Sequence, residues 1–265
     1  MSQLKDGVGR KWETRSKCLG ATLRSVLFKG VPEVVNEHLH HWHKNIVLGW
    51  IEEKEDLKIL DAGCGYGRLS IPVIEKFPKV DITGIDISEN YVRLYQESTG
   101  HSALVGAIEN IPETLGFFDD IVCITVLMYL DDEKLKKAIS QLFLHLKREG
   151  KLILIEPHRS GILFQTGFGM VMFLRNIVKR DNHRIRSRYF TSKELRNYFQ
   201  SSGGSILSER RLPITSLFFL PIVLAGKLLP YRMTQKVCKM VSLLDGLLGE
   251  FKLPSIYAAY LVMRN

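Results

Sequence analysis

The chain has 265 residues, of which 45% are hydrophobic and 25% charged, and its mean hydropathy is close to zero. These proportions are typical of an ordinary globular protein and exclude a disordered chain, a collagen-like chain and a disulfide-rich miniprotein. Four cysteines lie far apart without a CxxC pair, and no signal-peptide pattern opens the sequence. We therefore expect one main domain in a reducing, cytoplasmic environment.

The net charge of +9 is concentrated in the last third of the chain. Residues 158–265 contain seventeen Lys and Arg against five Asp and Glu, whereas residues 57–157 contain eleven against fifteen. An anionic partner such as a membrane surface, a nucleic acid or an acidic substrate explains this asymmetry. A solvated basic face explains it equally well, so the charge alone leaves both interpretations open.

Residues 1–56 are predicted to form a helical extension or cap. Apolar residues recur there at spacings of three and four, as on one buried helix face: Val35, Leu39, Trp42, Ile46 and Trp50. A second apolar stripe at 19–27 predicts an earlier helix. The histidines at 38, 40, 41 and 43 do not predict a metal site, because only Glu37 stands at ligand spacing. A contact with a carboxylate of a substrate or cofactor is favoured instead.

From residue 57 onward, short apolar runs alternate with helical stripes, which predicts βαβ units and a parallel sheet with helices on both faces. Helix starts are predicted at Ser88, at Asp131 or Asp132, and at Thr191, where Glu194 completes a capping box. The predicted strands are the following runs: 57–60, 80–85, 101–105, 120–125, 151–155, 205–211 and 255–262.

Two segments of the last third interrupt this alternation. Residues 161–190 combine an apolar, glycine-containing stretch with a run of arginines and lysines, and we interpret them as a lid over a site. Residues 212–252 form a predicted helical insertion between the sixth and seventh strands. Its first apolar stretch, 212–226, is too short for the ~20 residues that a bilayer span needs, and its second predicts an amphipathic helix. Packing on the core, a subunit contact and a lipid-facing role remain open for this insertion.

The segment Ile59–Leu69 indicates a cofactor cradle at the carboxyl end of the first strand. Asp61 ends the strand, and Gly63, Gly65 and Gly67 allow a sharp turn and a close approach to a ligand. Asp86 ends the next strand, where a carboxylate can accept hydrogen bonds from both ribose hydroxyls. A carboxylate at Asp61 repels a pyrophosphate but attracts the ammonium and sulfonium groups of S-adenosylmethionine. The charges therefore favour S-adenosylmethionine over a dinucleotide.

Several motifs between residues 57 and 211 resemble the class I S-adenosylmethionine-dependent methyltransferase superfamily. They are ILDAGCGYG, GIDIS, VGAIENIP, FFDDIVCITVLMYL, GKLILIEP and RYFTSKELRNYFQSSGG. The resemblance implies an α/β, Rossmann-like sheet of seven strands with the last strand antiparallel, helices on both faces, the N-terminal helical extension and the insertion between strands six and seven. It also implies S-adenosylmethionine as the cofactor and S-adenosylhomocysteine as its product.

By the same motif matching, Asp61, Gly63 and Gly65 hold the methionine part of the cofactor, Asp86 holds the ribose, and Ile87 and Ile108 lie against the adenine. Ala107 stands where many relatives have an Asp that bonds the adenine amino group, and Glu109 is the predicted substitute. The predicted cofactor-binding set is completed by two further residues: Gly67 and Thr125.

Catalytic candidates follow the fourth and fifth strands: Tyr129, Asp131, Glu156, His158 and Arg159. His158 is the preferred base because its unperturbed pKa lies near neutrality, and Arg159 is a candidate anchor for an acceptor anion. The segment 125–129 lacks the Asn/Asp-Pro-Pro-aromatic tetrad that relatives use on bases and glutamine amides, so a nucleic-acid partner is not favoured.

The favoured function is therefore methyl transfer to O or N of a small, partly apolar metabolite, natural product or lipid-linked acceptor, with a membrane-surface contact as a possible addition. The alternatives are a non-catalytic subunit that binds S-adenosylmethionine and an RNA or protein methyltransferase. The sequence does not determine the oligomeric state.

Overall fold

The computed structural model describes residues 7–159 and 187–265. Residues 161–186 of the predicted lid therefore lie outside the described residues. Helices of the described parts are α1 (Gly7–Leu19), α2 (Leu23–Val26), α3 (Glu33–Trp50), α4 (Ser70–Lys76), α5 (Glu89–Thr99), α6 (Asp132–Leu144), α7 (Ser192–Ser201), α8 (Pro213–Leu217), α9 (Phe219–Leu228) and α10 (Tyr231–Leu248). Two 3₁₀ turns lie at Glu113–Leu115 and Leu127–Tyr129.

The described strands are β1 (Lys58–Ala62), β2 (Asp81–Asp86), β3 (Ala103–Val105), β4 (Phe118–Ile124), β5 (Leu146–Pro157), β6 (Gly204–Arg211) and β7 (Tyr257–Arg264). They form one seven-stranded sheet in the order β3-β2-β1-β4-β5-β7-β6. β1 pairs in parallel with β2 and β4, whereas β7 runs antiparallel to both β5 and β6. The predicted sheet with its antiparallel last strand is confirmed. β5 begins earlier than the predicted run 151–155, since residues 147–149 are polar and exposed and carry no apolar signal.

Three predicted helix starts are confirmed by their capping bonds. Ser88 Oγ accepts a hydrogen bond from Tyr91 N at 3.2 Å. Asp131 Oδ1 accepts one from Lys134 N at 2.9 Å, and Thr191 Oγ1 accepts one from Glu194 N at 3.1 Å. Each side-chain oxygen satisfies an amide that has no partner within the first helical turn, which explains why these short-range patterns could be read from the sequence.

The sheet divides the core into two layers because successive strand residues point to opposite faces. Ile59 and Val122 belong to the layer that includes α3, α4 and the helices between β6 and β7. Leu60 and Ile121 belong to the opposite layer, which includes α6 and α7. All strands up to β5 run in parallel, so their carboxyl ends meet at one edge of the sheet. That edge is where ligands bind in open α/β sheets.

α3 buries a slightly different stripe from the predicted one. Val35 and Leu39 are fully buried as expected, but the stripe continues through His43 and Val47, while Trp42 and Trp50 are only half-buried. Both tryptophans nevertheless pack against this core layer, at the edge of the buried stripe. The stripe also contains a polar ring, since His43 is fully buried.

The segment between β6 and β7 is helical and is attached to α3 by buried polar contacts. The Asp245 carboxylate of α10 accepts hydrogen bonds from Ile214 N at 2.7 Å and Thr215 N at 3.0 Å. His38 Nε2 of α3 lies 2.7 Å from Thr215 Oγ1, and Ser242 Oγ lies 3.1 Å from His38 Nδ1. Within the described parts of the chain, no helix is both long and apolar enough to cross a bilayer.

Candidate active site at the carboxyl edge of the sheet

The loop after β1 turns on three glycines in the left-handed region: Gly63 with φ 79°, Gly65 with φ 54° and Gly67 with φ 85°. A Cβ on Gly63 would stand 2.3 Å from Val126 Cγ2, so both its conformation and its surroundings require glycine. Gly63 N and Cys64 N donate to Ile85 O at 2.7 and 3.1 Å. The loop is thereby attached to the end of β2.

Two carboxylates are buried around this loop. Asp86 Oδ2 accepts a hydrogen bond from Gly65 N at 2.9 Å, and its Oδ1 accepts one from Ser88 N at 2.9 Å. Asp61 Oδ2 accepts one from Ser70 Oγ at 2.6 Å. Burial raises the pKa of both Asp61 and Asp86 to about 6. Because this pKa is still below neutral pH, both carboxylates are largely ionised there.

A cavity opens between these carboxylates, β3, β4 and α1. Nine of the ten residues predicted to bind the cofactor line it: Asp61, Gly63, Gly65, Asp86, Ile87, Ala107, Ile108, Glu109 and Thr125. Gly67 does not, because it faces α5, where a Cβ would stand 2.6 Å from Thr99 Cγ2. The structure thus brings together residues that are far apart in the sequence, at the ends of β1 to β4.

Ala107 is buried in the cavity wall and carries no polar group. Glu109 also lines the cavity, and its carboxylate lies 3.5 Å from Lys134 Nζ. Glu109, the predicted substitute for the missing Asp, thus lines the cavity and forms an ion pair with a lysine of α6.

A buried cation completes the site and was not predicted. Arg68 follows the glycine loop, lines the cavity and is 7% exposed. Its guanidinium hydrogen-bonds to His40 Nδ1 at 3.3 Å and to His43 Nδ1 at 3.1 Å. Burial, reinforced by the charge of Arg68, lowers the pKa of His40 to about 3 and that of His43 well below its usual range, so both rings are neutral acceptors. These contacts use two of the five N–H donors of the guanidinium.

Two of the four histidines of α3 therefore contact Arg68. Among the described residues, no group of His, Cys, Asp or Glu is arranged to hold a metal ion. The predicted contact of α3 with a carboxylate of a substrate or cofactor stays a prediction. The pairing of two of its histidines with an arginine follows no recognisable spacing in the sequence.

The N-terminal helix α1 covers the cavity. Val8 and Trp12 line it, and the Trp12 ring meets the Tyr129 ring edge-on at 5.2 Å between centroids. Glu13 of the same helix accepts hydrogen bonds from Ser88 Oγ at 2.7 Å and Asn90 N at 3.2 Å. α1 is thus attached to the beginning of α5, next to Asp86.

Of the predicted catalytic residues, Tyr129 lines the cavity. Burial raises the pKa of Tyr129, so its phenol stays protonated at neutral pH. Glu156 is fully buried beneath the loop after β4: its Oε1 accepts from Val126 N at 2.9 Å and Leu127 N at 2.7 Å, and its Oε2 from Met128 N at 3.2 Å. Because Glu156 accepts hydrogen bonds from three backbone amides of this loop, it positions the part of the cavity wall that the loop forms.

His158 and Arg159 do not line the described cavity. His158 Nε2 lies 3.1 Å from Ser192 Oγ, and burial lowers the pKa of His158 to about 4. Arg159 N donates to Phe190 O at 2.7 Å, in the segment that leads into α7. Both residues directly follow β5, as expected. Their contacts are with Ser192 of α7 and with Phe190 in the segment before α7.

A model of the "Methyltransferase domain" family matches residues 59–150, the part that contains the glycine loop, Asp86 and β4. The protein YqeM of Bacillus subtilis, named as a methyltransferase, is 31% identical over 143 residues, or 51% of this chain and 57% of that protein. A malonyl-[acyl-carrier protein] O-methyltransferase of Bacillus cytotoxicus is 25% identical over 57% of this chain and 52% of its own length. The chain thus spans about half the length of these relatives.

The fold is shared with solved structures. A magnesium protoporphyrin IX methyltransferase from Synechocystis, crystallised with bound S-adenosylmethionine, superimposes with a TM-score of 0.60 over 98% of both chains at 16% identity. The chain thus combines a doubly wound sheet with a glycine loop and two strand-end carboxylates in one α/β domain. The family match adds that residues 59–150 are similar to the methyltransferase domain family.

The positioning role of Glu156 is tested by replacing its carboxylate with an amide. In Glu156→Gln, an amide N–H₂ replaces one acceptor oxygen and faces a backbone N–H. We expect a free energy of unfolding lower by about 2 kcal/mol, measured by urea denaturation, because a buried donor loses its partner. Glu75→Gln, an exposed residue of α4, is the control and should change little. Full stability with lost activity would instead assign Glu156 to the chemistry.

Proposed function

We propose that the chain is an S-adenosylmethionine-dependent methyltransferase that acts on O or N of a small, partly apolar acceptor. The observation that carries the proposal is the pair of buried carboxylates, Asp61 and Asp86, on either side of a loop that only glycine can form. A pyrophosphate over this loop would meet the negative charge of Asp61 in a poorly hydrated site, which disfavours a dinucleotide.

The charges of the cavity match the parts of S-adenosylmethionine. Its methionine part is a zwitterion, and the cavity offers Asp61 for the ammonium group and Arg68 for the carboxylate. Asp86 retains acceptor capacity beside its two backbone donors for the ribose hydroxyls, and Ile87 and Ile108 offer apolar contacts to the adenine. When bound, the cofactor supplies a methyl group activated on a sulfonium.

The acceptor side of the cavity is mainly apolar and aromatic: Trp12, Val126, Tyr129 and Leu130 line it. Tyr129, as a neutral phenol, donates a hydrogen bond to an acceptor atom and does not remove its proton. The lining residues in the described ranges include no histidine. An acceptor atom that is already deprotonated, such as a carboxylate oxygen, suits this lining because alignment and exclusion of water then suffice.

The curated relatives support the same class of acceptor. The relatives include the malonyl-[acyl-carrier protein] O-methyltransferase of Bacillus cytotoxicus and a magnesium-protoporphyrin O-methyltransferase of Synechocystis, which is 29% identical over 39% of this chain. Both names describe transfer to oxygen. We therefore favour an oxygen acceptor on a small or carrier-linked molecule over RNA or protein.

Binding of S-adenosylhomocysteine tests the cofactor assignment. We expect a micromolar Kd for the wild type by calorimetry, and at least about a tenfold weaker Kd for Asp86→Ala, because the ribose loses a charged hydrogen-bond acceptor. Asp81→Ala is the matched control, since Asp81 begins the same strand at its exposed end. Equal affinity of wild type and Asp86→Ala would remove the assignment.

Methyl transfer is measured in the same preparations with labelled S-adenosylmethionine and a panel of small carboxylic acids. If the label is found in an ester that mild alkali hydrolyses, the result supports an oxygen acceptor of the proposed class. Tight cofactor binding without transfer to any extracted small molecule would favour a non-catalytic subunit.

The role of Arg68 is tested with two ligands. 5′-Methylthioadenosine contains the adenosine and the thioether of S-adenosylhomocysteine but lacks the amino-acid part. We expect Arg68→Met to weaken the binding of S-adenosylhomocysteine by about tenfold or more. The affinity for 5′-methylthioadenosine should stay nearly unchanged, because only S-adenosylhomocysteine carries a carboxylate. Arg68→Lys should retain part of the affinity, and Arg93→Met, an exposed change on α5, should have no effect. An equal loss for both ligands would assign Arg68 to the fold alone.

A further inference from the structure

Exposed apolar side chains are concentrated on one part of the molecule. Of the eighteen large hydrophobic side chains exposed in the described ranges, fourteen lie between residues 217 and 253. Only four lie elsewhere: Val105, Phe117, Leu144 and Leu207. Scattered apolar residues are normal on a protein surface, but a contiguous exposed cluster marks an interaction site.

The cluster lies on the outer faces of α9 and α10. In α10, the residues turned inward are Thr234, Cys238, Val241 and Asp245. The outward residues include Leu243 and Leu247, which are 68% and 65% exposed. In α9, Leu220, Leu224 and Leu228 recur at every fourth position on the exposed side, opposite Phe219 and Ile222.

This orientation is fixed by polar contacts. Asp245 is 2% exposed and accepts bonds from Ile214 N and Thr215 N, and Thr215 also bonds to His38 of α3. Turning α10 about its axis would bury its outer leucines, but it would leave these amides and the Asp245 carboxylate without partners. The structure therefore holds an apolar face toward solvent, which costs free energy unless something covers it.

Basic residues are interspersed with the apolar ones. Five exposed cations lie in the same segment: Lys227, Arg232, Lys236, Lys239 and Lys252. Its two acidic residues do not offset them, because Asp245 is buried and Glu250 lies 2.7 Å from Arg210. The surface is thus both apolar and strongly positive.

We propose that α9 and α10, with the turn between them, form a lipid-facing surface that binds anionic bilayers. Leucines and methionines enter the boundary between headgroups and acyl chains, while the lysines and arginines contact the anionic headgroups. A second copy of the chain is disfavoured as the occupant, because a two-fold contact would bring two basic faces together. The proposal depends on this surface alone and stands independently of the methyltransferase assignment.

One helix connects this surface to the cavity. α3 contacts the insertion through His38 and the cavity through His40 and His43, which hold Arg68. The lipid-facing surface is therefore separated from the candidate active site by a single helix. A bilayer bound there would lie on the outer side of the same helix layer.

Vesicle sedimentation with the full chain tests the proposal. We expect binding to vesicles of phosphatidylcholine with about one quarter phosphatidylglycerol, weak binding to phosphatidylcholine alone, and release as NaCl rises from about 0.05 to about 0.5 M. Replacing Leu228, Leu243 and Leu247 by Ser should lower the partition coefficient at least about tenfold. Replacing Lys227, Arg232 and Lys236 by Glu should do the same and remove the salt dependence.

Matched controls change as many residues of the same kind elsewhere. Phe117, Leu144 and Leu207 replaced by Ser, and Lys79, Lys136 and Arg148 replaced by Glu, should bind as the wild type does. Absence of wild-type binding overturns the proposal, as does an equal loss in the controls. A dimer in analytical ultracentrifugation that the leucine variant dissociates also overturns it, and would assign the face to a subunit contact.

Discussion

Two negative charges held out of water at neighbouring strand ends are the constraint on which the candidate site depends. Asp61 and Asp86 end β1 and β2, and a buried carboxylate is stable only when donors surround it. Those donors are the hydroxyl of Ser70 and the amides of Gly65 and Ser88. The chain must turn sharply to present an amide to Asp86, and this explains the left-handed glycines between the two strands.

In the proposed function, the same charges determine what the cavity accepts. Asp61 beside Arg68 is a complement for an amino acid, and Asp86 is a complement for a ribose, whereas the Asp61 carboxylate repels a pyrophosphate. Two neutral histidines at Arg68 orient the guanidinium without neutralising it. A carboxylate in their place would have cancelled the charge that the ligand needs. The choice of imidazole over carboxylate is therefore a part of the proposed specificity.

Features that arise from local sequence were predictable. The strands, the caps at Ser88, Asp131 and Thr191, and the glycine loop each depend on residues within a few positions of one another. The partners of Arg68 and the cover by Trp12 were not predictable, because they join segments more than twenty residues apart through contacts that follow no period. His158 illustrates the limit: the residue type and strand were reasonable, but contacts with Ser192 and the segment around Phe190 turn it away from the cavity. Amphipathicity of α10 was also visible, yet the sequence did not reveal that Asp245 faces inward and the leucines outward.

The central claim is that buried, ionised carboxylates select a cationic nucleoside without phosphate. Calorimetry of the wild-type protein with S-adenosylmethionine and with NAD⁺, in the same buffer at neutral pH, tests it most directly. We expect micromolar, one-to-one binding of S-adenosylmethionine and no measurable binding of NAD⁺. Binding of NAD⁺ as tight as that of S-adenosylmethionine would contradict the proposal, because the pyrophosphate would then lie beside the Asp61 carboxylate, which is proposed to repel it.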